Sequence, residues 1–452
     1  MKRKTLILVL LVVLVALLSV SVTSAQNAPR RYIVISQIEG RLGSAAAMQS
    51  QLAGARVVRN LPQIGAAVVT SADANFVRRM NRLGYLAAPD RVVRKIRPER
   101  LERLQLSPNA AGGASNPLFP LQWNLLAVRA TEGWVEGRRG AGAQVAVLDE
   151  GFYLNHPDLD NVFNTALAAS FVPGETVQWM LPDGFSHGTH VSGIIAAEDN
   201  NIGTVGVAPD TQIIPVKVLS EVLGFGYDSW VIAGMLYAAE QQFDIVNMSL
   251  GGYCELTDPD CRAIRRVYNA VVRYMNQRGV TVIASAGNEE INFDDPAYDD
   301  LINLPAQANG VLSITATGPF GWAYYPAADP RRPASYSNYG KEVADFAAPG
   351  GDFAMYFVPE GQGPCTVGAI TRPCWVFDMV SSPAEASSVG IFNYWAAGTS
   401  MAAPHVAGIA AQIVGANGGS MHPAQVTAQL RRYAEKLSPT SFYGKGFARA
   451  KR

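Results

Sequence analysis

Short apolar runs alternate with longer helix-like segments over most of the chain, from residue 122 onward. Five runs are nearly continuous in β-branched and other apolar residues, as strands buried on both faces of a sheet are; they cover residues 144–148, 212–218, 245–249, 280–285 and 311–317. Apolar residues recur at helical spacing within 191–197, 229–242, 261–278, 401–414 and 423–433. This alternation predicts an α/β domain with a mainly parallel sheet and helices on both faces.

A smaller unit is predicted ahead of this domain, over residues 30–97. Residues 31–37 and 64–70 are strand-like, residues 45–52 and 73–83 are helix-like, and a last strand includes Val92 and Val93. This order predicts a small α+β unit. Residues 108–120, which are rich in Asn, Ala, Gly, Ser and Pro, have the composition of a linker.

The first 25 residues are not expected to belong to either unit. Residues 2–4 are basic, residues 6–20 are apolar, and residues 23–25 (Thr-Ser-Ala) offer the small side chains of a cleavage site. These features predict a secretory signal peptide at 1–25 and hence a secreted protein. An uncleaved membrane anchor is the alternative, since the apolar run is nearly long enough to span a bilayer.

Charge is divided unevenly between the two predicted units. The chain as a whole has a formal net charge of zero. Residues 26–110 hold 14 basic against 5 acidic residues, whereas residues 111–452 hold 20 against 32. Opposite net charges would let the two parts attract each other as domain and partner. A solvated face of arginines is the alternative interpretation.

The four cysteines form two short-range pairs, Cys254 with Cys261 and Cys365 with Cys374. In a secreted chain an even, locally clustered set predicts disulfides, although the sequence does not choose among the three connectivities. Free thiols are the alternative. Zinc is disfavoured because neither pair has the two-residue spacing of a zinc knuckle.

Residues suited to nucleophilic and acid–base chemistry stand where predicted strands end or helices begin. Asp149 ends one strand, Asn288 follows another, His187 opens a helix, and Ser400 precedes an apolar helix. In a parallel sheet these positions gather at the edge where ligands bind. A serine hydroxyl becomes a nucleophile when an imidazole takes its proton, and a buried carboxylate orients that imidazole. Asn288 would donate a hydrogen bond to the developing oxyanion.

Several of these residues also have a plainer interpretation. Ser400 could cap its helix, and Asp149 could belong to an ordinary turn. His187 and His190 could together bind a metal, but no Glu stands between them as a general base. Glycines at 188 and 193 indicate close packing against a neighbouring backbone instead. A single catalytic His187, with His190 as a packed neighbour, is the favoured interpretation.

Residues 117–448 resemble the subtilisin-like serine proteases, in several motifs that follow one another with the order Asp, His, Ser. The matching segments are Asp149-Glu150-Gly151, His156-Pro157-Asp158-Leu159, His187-Gly188-Thr189-His190, Gly206-Val207-Ala208-Pro209, Val216-Lys217-Val218-Leu219, Asn247-Met248-Ser249-Leu250-Gly251, Ala286-Gly287-Asn288, Ala348-Pro349-Gly350 and the run from Gly398 to Gly408. The resemblance implies a secreted serine endopeptidase that hydrolyses peptide bonds through an acyl-enzyme on Ser400. It implies that His187 is the base and then the acid, that Asp149 orients it, and that Asn288 holds the oxyanion together with the N–H of Ser400.

The resemblance also implies how substrates and partners bind. An extended peptide would pair with the backbone of Ser249-Leu250-Gly251 and of Gly224-Phe225-Gly226, and residues 284–287 would wall the main specificity pocket. Residues 26–110 would be a propeptide that assists folding, inhibits the site and is removed by self-processing, leaving residues 111–452 as the catalytic domain. We expect protein or peptide substrates, a monomer, no nucleic acid, no membrane anchor after signal cleavage, and no cofactor for the chemistry.

The chain departs from the family in three places. Glu150 stands where the family usually has Ser or Thr, and we expect its carboxylate to face solvent; the alternative is that it points at the His187 ring, where it would raise the imidazole pKa. Residues 199–203 resemble a loop that binds structural calcium in part of the family, with Asp158 as a further ligand; the loop is shortened, so calcium and a plain turn are both retained. Residues 351–397, which hold Cys365 and Cys374, form a long insertion that we expect to border or cover the cleft.

Two rival functions are disfavoured by the same residues. A catalytically silent secreted binding protein on this fold would not need all four chemical positions, and all four are present. An esterase or lipase would be expected to carry a Gly-x-Ser-x-Gly turn and a different order of the triad.

Overall fold

The computed structural model describes residues 28–36, 54–96, 100–106 and 116–452. The predicted signal peptide at 1–25 and the predicted helix at 45–52 lie outside these residues. Backbone contacts divide the chain into two compact units. Of the described residues, one unit holds those up to Asp90 together with Pro259–Val267, and the other holds those in Arg91–Asp258 and Tyr268–Arg452.

The first unit contains a four-stranded antiparallel sheet. Its strands, in order across the sheet, are Ala55–Leu61, Ala66–Ser71, Arg30–Ser36 and Tyr85–Pro89. The helix Phe76–Arg82 packs on one face through Phe76 and Met80, which bury Tyr32 and Val34. Tyr32 and Val34 are two residues apart, as side chains on one face of a strand must be. The predicted third and last strand, at Val92 and Val93, exists but belongs to the second unit, and Tyr85–Pro89 pairs with Arg30–Ser36 here instead.

The second unit is built on a seven-stranded sheet in which every strand pair is parallel. Its strands, in order across the sheet, are Phe346–Pro349, Val311–Thr317, Thr281–Ser285, Ile245–Met248, Gln144–Asp149, Gln212–Lys217 and Ala169–Ser170. All five strands predicted from apolar runs are present, with ends shifted by one residue at most. The two edge strands were not predicted because neither contains a β-branched residue.

Helices flank this sheet, and two of them carry predicted site residues. Besides Phe76–Arg82, the α-helices of the described residues are Trp123–Ala127, Ala130–Val135, His187–Ala196, Asp228–Glu240, Pro259–Gln277, Pro359–Gln362, Thr399–Ala416, Pro423–Tyr433 and Thr440–Tyr443. His187–Ala196 and Thr399–Ala416 are buried along almost their whole length and pack on each other. A Cβ on Gly193 would lie 2.3 Å from the Ser382 Oγ, and one on Gly408 would lie 2.6 Å from the Val207 Cβ. Glycine therefore permits these close approaches.

Three smaller sheets complete the second unit, and short 3₁₀ helices occur in both units. An antiparallel five-stranded sheet has the order Leu219–Ser220, Phe225–Tyr227, Val92–Lys95, Leu250–Glu255 and Leu301–Leu304. A three-stranded sheet has the order Val380–Ser387, Gly390–Ala397 and Arg100–Gln105. The pair Pro364–Val367 and Ile370–Pro373 forms the third. Short 3₁₀ helices cover Pro62–Ile64, Phe119–Leu121, Thr165–Leu167, Pro296–Tyr298, Ala354–Phe357 and Cys374–Asp378.

The insertion at 351–397 is largely built into the core. Its hairpin, Val380–Ser387 with Gly390–Ala397, meets the helix that begins at His187. The Ser382 hydroxyl donates to the His190 carbonyl at 2.8 Å, and the His190 imidazole Nε2 contacts the Tyr394 carbonyl at 3.0 Å.

Cys365 and Cys374 form the predicted disulfide, and Cys254 and Cys261 are also disulfide-bonded. None of the helices in the described residues is both long and apolar enough to cross a membrane.

Candidate active site

Asp149 and His187 form a fully buried pair. Asp149 is the last residue of a central strand, and His187 is the first residue of its helix, whose preceding residue Ser186 accepts a hydrogen bond from the Thr189 N–H. The His187 Nδ1 lies 2.9 Å from both carboxylate oxygens of Asp149. A carboxylate accepts hydrogen bonds, so Nδ1 is the donor in this pair, and the tautomer that it selects has its lone pair on Nε2. Within the described residues Nε2 has no hydrogen-bond partner.

Ser400 is the second residue of the helix Thr399–Ala416 and is completely buried. Its hydroxyl donates to the Ile96 carbonyl at 2.7 Å, and lies 3.4 Å from the Ser249 carbonyl. Its own carbonyl accepts a hydrogen bond from the Ser249 hydroxyl at 2.9 Å. A serine at this position lies where unpaired N–H groups and the positive end of the helix dipole can stabilise an oxyanion.

Asn288 is oriented by the residue next to Ser400. Its side-chain oxygen Oδ1 accepts hydrogen bonds from the Thr399 N–H at 2.9 Å and from the Thr399 hydroxyl at 2.8 Å. The Thr399 hydroxyl in turn accepts one from the Gly287 N–H at 3.1 Å. These contacts assign Oδ1 as the acceptor end of the amide, so Nδ2 is its donor end. Sequence reasoning missed Thr399, for which adjacency to Ser400 was the available signal.

The segment Val92–Lys95, which we call the cleft strand, lies between the two backbone segments expected to bind substrate. It is antiparallel to both neighbours, with Val93 opposite Gly226, Arg94 opposite Gly251 and Lys95 opposite Leu250. The next residue, Ile96, donates its N–H to the Ser249 carbonyl at 3.2 Å.

Four of the five predicted substrate-binding residues thus contact this extended segment, namely Ser249, Leu250, Gly251 and Gly226. Gly224 does not, because it lies in the turn before the strand Phe225–Tyr227, with φ 74°. At that φ its backbone is in the left-handed region and cannot continue the strand.

A cavity of about 380 Å³ lies beside the cleft strand and Ile96. Its remaining walls come from residues 251–253 and from Asn288 and Glu289. Residues 284–287 do not line this cavity, and their predicted place at the main specificity pocket stays a prediction. The Glu289 carboxylate is already engaged, because it accepts hydrogen bonds from the Asn288 N–H, the Asn338 amide and the Tyr253 hydroxyl. Burial, with the neighbouring Glu289, raises the pKa of Tyr253, so this hydroxyl remains a donor.

The expectation that Glu150 faces solvent is wrong. Its side chain is 2% exposed, and both of its oxygens lie 2.8 Å from the Lys95 Nζ. Its Oε1 also accepts the backbone N–H of His187 at 3.0 Å. The turn after Asp149 directs this carboxylate toward the cleft strand, a long-range contact that a sequence pattern does not report.

The other buried histidines are held as neutral groups. The His405 ring contacts the Met401 carbonyl through Nδ1 at 2.7 Å and the Asn124 amide through Nε2 at 2.8 Å. Burial lowers the pKa of His405 to about 4 and that of His190 to about 3. In the part of the chain that the structure describes, no group of three or more His, Cys, Asp or Glu side chains could hold a metal ion. The zinc alternative for His187 and His190 therefore has no support in the geometry.

The loop compared with a calcium-binding loop gathers oxygen atoms. The Asn116 Nδ2 lies 2.7 Å from three carbonyl oxygens, those of Glu198, Ile202 and Thr204. An amide nitrogen carries only two hydrogens, so these acceptors exceed its donors. Asp158 accepts the Thr204 N–H at 3.0 Å through Oδ2, while its buried Oδ1 has no partner among the described residues. Burial raises the pKa of Asp158 well above its ordinary value. Such an oxygen set fits a hard cation.

The buried Asp149–His187 pair, a serine at the start of a buried helix and a cleft occupied by an extended segment are features of a serine hydrolase, although the Ser400 hydroxyl is hydrogen-bonded to the Ile96 carbonyl rather than to His187. The chain belongs to the subtilase family, whose sequence model matches residues 140–446. It is 35% identical to subtilisin of Bacillus pumilus over 315 residues, which cover 69% of this chain and 90% of that protein. It is 31% identical to M-protease of Shouchella clausii over 361 residues, which cover 79% of this chain and 77% of that protein.

A solved structure supports the same fold. The epidermin leader peptide processing serine protease of Staphylococcus aureus superposes with a TM-score of 0.71 at 21% identity, covering 93% of this chain and 97% of that one. The predicted subtilisin-like α/β fold is confirmed. The chain is therefore a serine endopeptidase, and proteins or peptides are its substrates.

The role of Thr399 in orienting Asn288 can be tested by substitution. Thr399→Val keeps the size of the side chain but removes the hydroxyl that binds Oδ1. We expect kcat on a peptide substrate to fall about tenfold with little change in KM, less than the 10²–10³-fold typical of losing an oxyanion donor itself. Thr399→Ser keeps the hydroxyl and should stay near wild type. Equal kcat values for the two variants would contradict the assignment.

His405 should make stability fall as pH is lowered. Its pKa is about 4 when folded against about 6.5 when unfolded, so between these values the unfolded chain binds the proton and the folded chain does not. The free energy of unfolding then decreases by up to about 1.4 kcal/mol per pH unit as pH falls from 6.5 to 4. Urea unfolding of Ser400→Ala and of Ser400→Ala/His405→Gln should show a shallower decrease in the second. Parallel curves would contradict the prediction.

Proposed function

We propose that the chain is a secreted serine endopeptidase made as a precursor that cuts itself. In this proposal Ser400 is the nucleophile, His187 the general base and then acid, and Asp149 the group that fixes the ring. Asn288 and the Ser400 N–H hold the oxyanion. The contact between the Ser400 hydroxyl and the Ile96 carbonyl carries the proposal, because it puts a peptide group of an extended, backbone-paired segment at the nucleophile.

The proposed chemistry follows from the proton positions. As Ser400 Oγ attacks the substrate carbonyl carbon, its proton passes to the lone pair of His187 Nε2, and Asp149 stabilises the imidazolium. The negative charge on the carbonyl oxygen is held by the Asn288 Nδ2–H and by the N–H at the start of the helix. His187 then gives its proton to the leaving amine, and the acyl-enzyme forms. In the second half of the reaction, a water molecule that gives its proton to His187 attacks the acyl-enzyme, and the carboxylic acid product leaves Ser400.

Self-processing is supported by the identity of the segment in the cleft. It is the chain's own residues 92–96, paired on both sides and ending with a carbonyl at Ser400. We therefore propose that the first cut falls between Ile96 and Arg97, upstream of the boundary near residue 110 that composition suggests.

The residues before the cut would act as the propeptide. Until they leave, the cleft strand occupies the positions where a substrate would pair, so the precursor is inhibited by its own chain. Basic residues outnumber acidic ones in 26–110, whereas acidic residues outnumber basic ones in 111–452. The attraction between these opposite net charges supports the binding of the propeptide to the catalytic domain. We further propose removal of a signal peptide at 1–25, secretion, and a monomeric product.

A structural calcium ion is part of the proposal. The Asp158 carboxylate and the carbonyl oxygens of Glu198, Ile202 and Thr204 would hold it, with Asn116 turned so that its amide oxygen faces the ion. Calcium would supply the counter-charge that the buried Asp158 lacks. It would stabilise the loop and take no part in the chemistry.

Self-cleavage can be read from the product. We expect wild-type protein to yield a species with Arg97 at its N-terminus, and Ser400→Ala to keep the preceding residues because it lacks the nucleophile. Intact mass and N-terminal sequencing measure this, and Ser420→Ala, at an exposed serine, serves as the matched control. An N-terminus between 105 and 120 would support the compositional boundary instead. Identical processing of Ser400→Ala would contradict self-cleavage.

Calcium binding should appear as a change in thermal stability. In the Ser400→Ala protein, excess calcium after chelation should restore roughly 2–3 kcal/mol, as expected for a ligand at about 100 times its Kd. Asp158→Asn should abolish the response, whereas Asp160→Asn, at an exposed neighbouring carboxylate, should retain it. An unchanged melting temperature in the presence of calcium and in the presence of chelator would contradict the proposal that calcium binds at this site.

A further inference from the structure

The cleft strand shows how side chains of a bound peptide are accommodated. Ile96 contributes the carbonyl at Ser400, so Lys95 is the residue immediately before the one attacked. Along the segment, Val93 and Ile96 are buried, Arg94 is exposed, and the Lys95 side chain is 21% exposed. An extended peptide thus presents two aliphatic side chains and one lysine to the walls of the cleft.

The lysine meets a carboxylate that is already fixed. Glu150 is nearly buried, and the N–H of His187 holds its Oε1 at 3.0 Å. Both oxygens then lie 2.8 Å from the Lys95 Nζ. The other buried cation nearby, Lys217, attracts Glu150 electrostatically but does not bind it, because its Nζ binds the carboxylates of Glu175 and Glu221.

A buried carboxylate is stabilised by a neighbouring cation and is destabilised when it is buried without one. A peptide with a neutral side chain at this position would remove water from Glu150 without providing a counter-charge. A peptide with an acidic side chain would add repulsion. A charged pair formed in such a partly desolvated position contributes more to discrimination than a pair on the open surface does.

We propose that Glu150 is a specificity-determining residue, which makes this protease select a basic residue immediately before the residue whose carbonyl is attacked. This inference rests on the proposed function, in which Ser400 attacks the peptide seated as the cleft strand is. The preferred substrate class is a peptide with an aliphatic residue at the cut, Lys or Arg before it, and a second aliphatic residue two positions further upstream.

The preference can be measured with matched peptides. One contains Val-Arg-Lys-Ile before the cut, and the others replace Lys by Arg, Gln or Glu. With the full chain after it has processed, kcat/KM for the Lys and Arg peptides should exceed that for the Gln peptide at least tenfold, and the Glu peptide should be poorest. Each ratio is taken on one enzyme sample, so the fraction of active enzyme cancels.

Two variants assign the preference to Glu150. Glu150→Gln keeps an oxygen for the His187 N–H but loses the charge, and its Lys-to-Gln ratio should fall close to one. Glu342→Gln, at an exposed carboxylate, should keep the wild-type ratio. A wild-type ratio near one, or an unchanged ratio in Glu150→Gln, overturns the proposal. Hydrolysis of none of the peptides by wild type overturns the proposed function and the preference with it.

The precursor offers a second measurement that needs no added substrate. Lys95→Gln should lengthen the half-time of the cut after Ile96 at least tenfold, whereas Arg94→Gln, at the exposed neighbour, should leave the half-time near wild type. Equal half-times for the two variants overturn the preference while leaving self-cleavage intact, so the two claims fail separately.

Discussion

The site depends on the buried contact between Asp149 and His187. Neither side chain reaches solvent, so an ionised carboxylate there requires a donor, and the imidazole Nδ1–H provides it. This contact fixes the tautomer that leaves a lone pair on Nε2, the atom that receives the proton of Ser400 in our proposal. It also requires the end of a central strand to meet the start of a helix, which the parallel sheet supplies.

Packing places Ser400 relative to that pair. The helices that begin near His187 and Ser400 are buried and rich in Gly and Ala, so they approach each other and the insertion hairpin closely. The Thr399 hydroxyl donates a hydrogen bond to Asn288, and the Ser249 hydroxyl donates one to the Ser400 carbonyl. These bonds hold the backbone around Ser400 against Asn288 and the cleft. The chain's own cleft strand completes the arrangement, acting in our proposal as both the first substrate and the inhibitor.

Much of this arrangement can be predicted from the sequence. Buried parallel strands are apolar almost throughout, so the pattern shows where they end, with Asp149 at the end of one strand and Asn288 shortly after another. Glu150 was misassigned because its partner Lys95 is 55 residues away, and no local periodicity encodes that contact. Val92 and Val93 were recognised as a strand, but whether a strand pairs with near or distant neighbours depends on tertiary structure. The insertion was expected to border or cover the cleft, but its hairpin packs against the buried helix that begins at His187, and that contact depends on tertiary structure.

The most direct test of the central claim is covalent labelling of the nucleophile. A fluorophosphonate reagent reacts with a serine whose hydroxyl is activated by a neighbouring base. Our account predicts one label per processed chain, located on Ser400 by peptide mass spectrometry and lost in His187→Ala. A label on another serine, or equal labelling of Ser400 in His187→Ala, would contradict it.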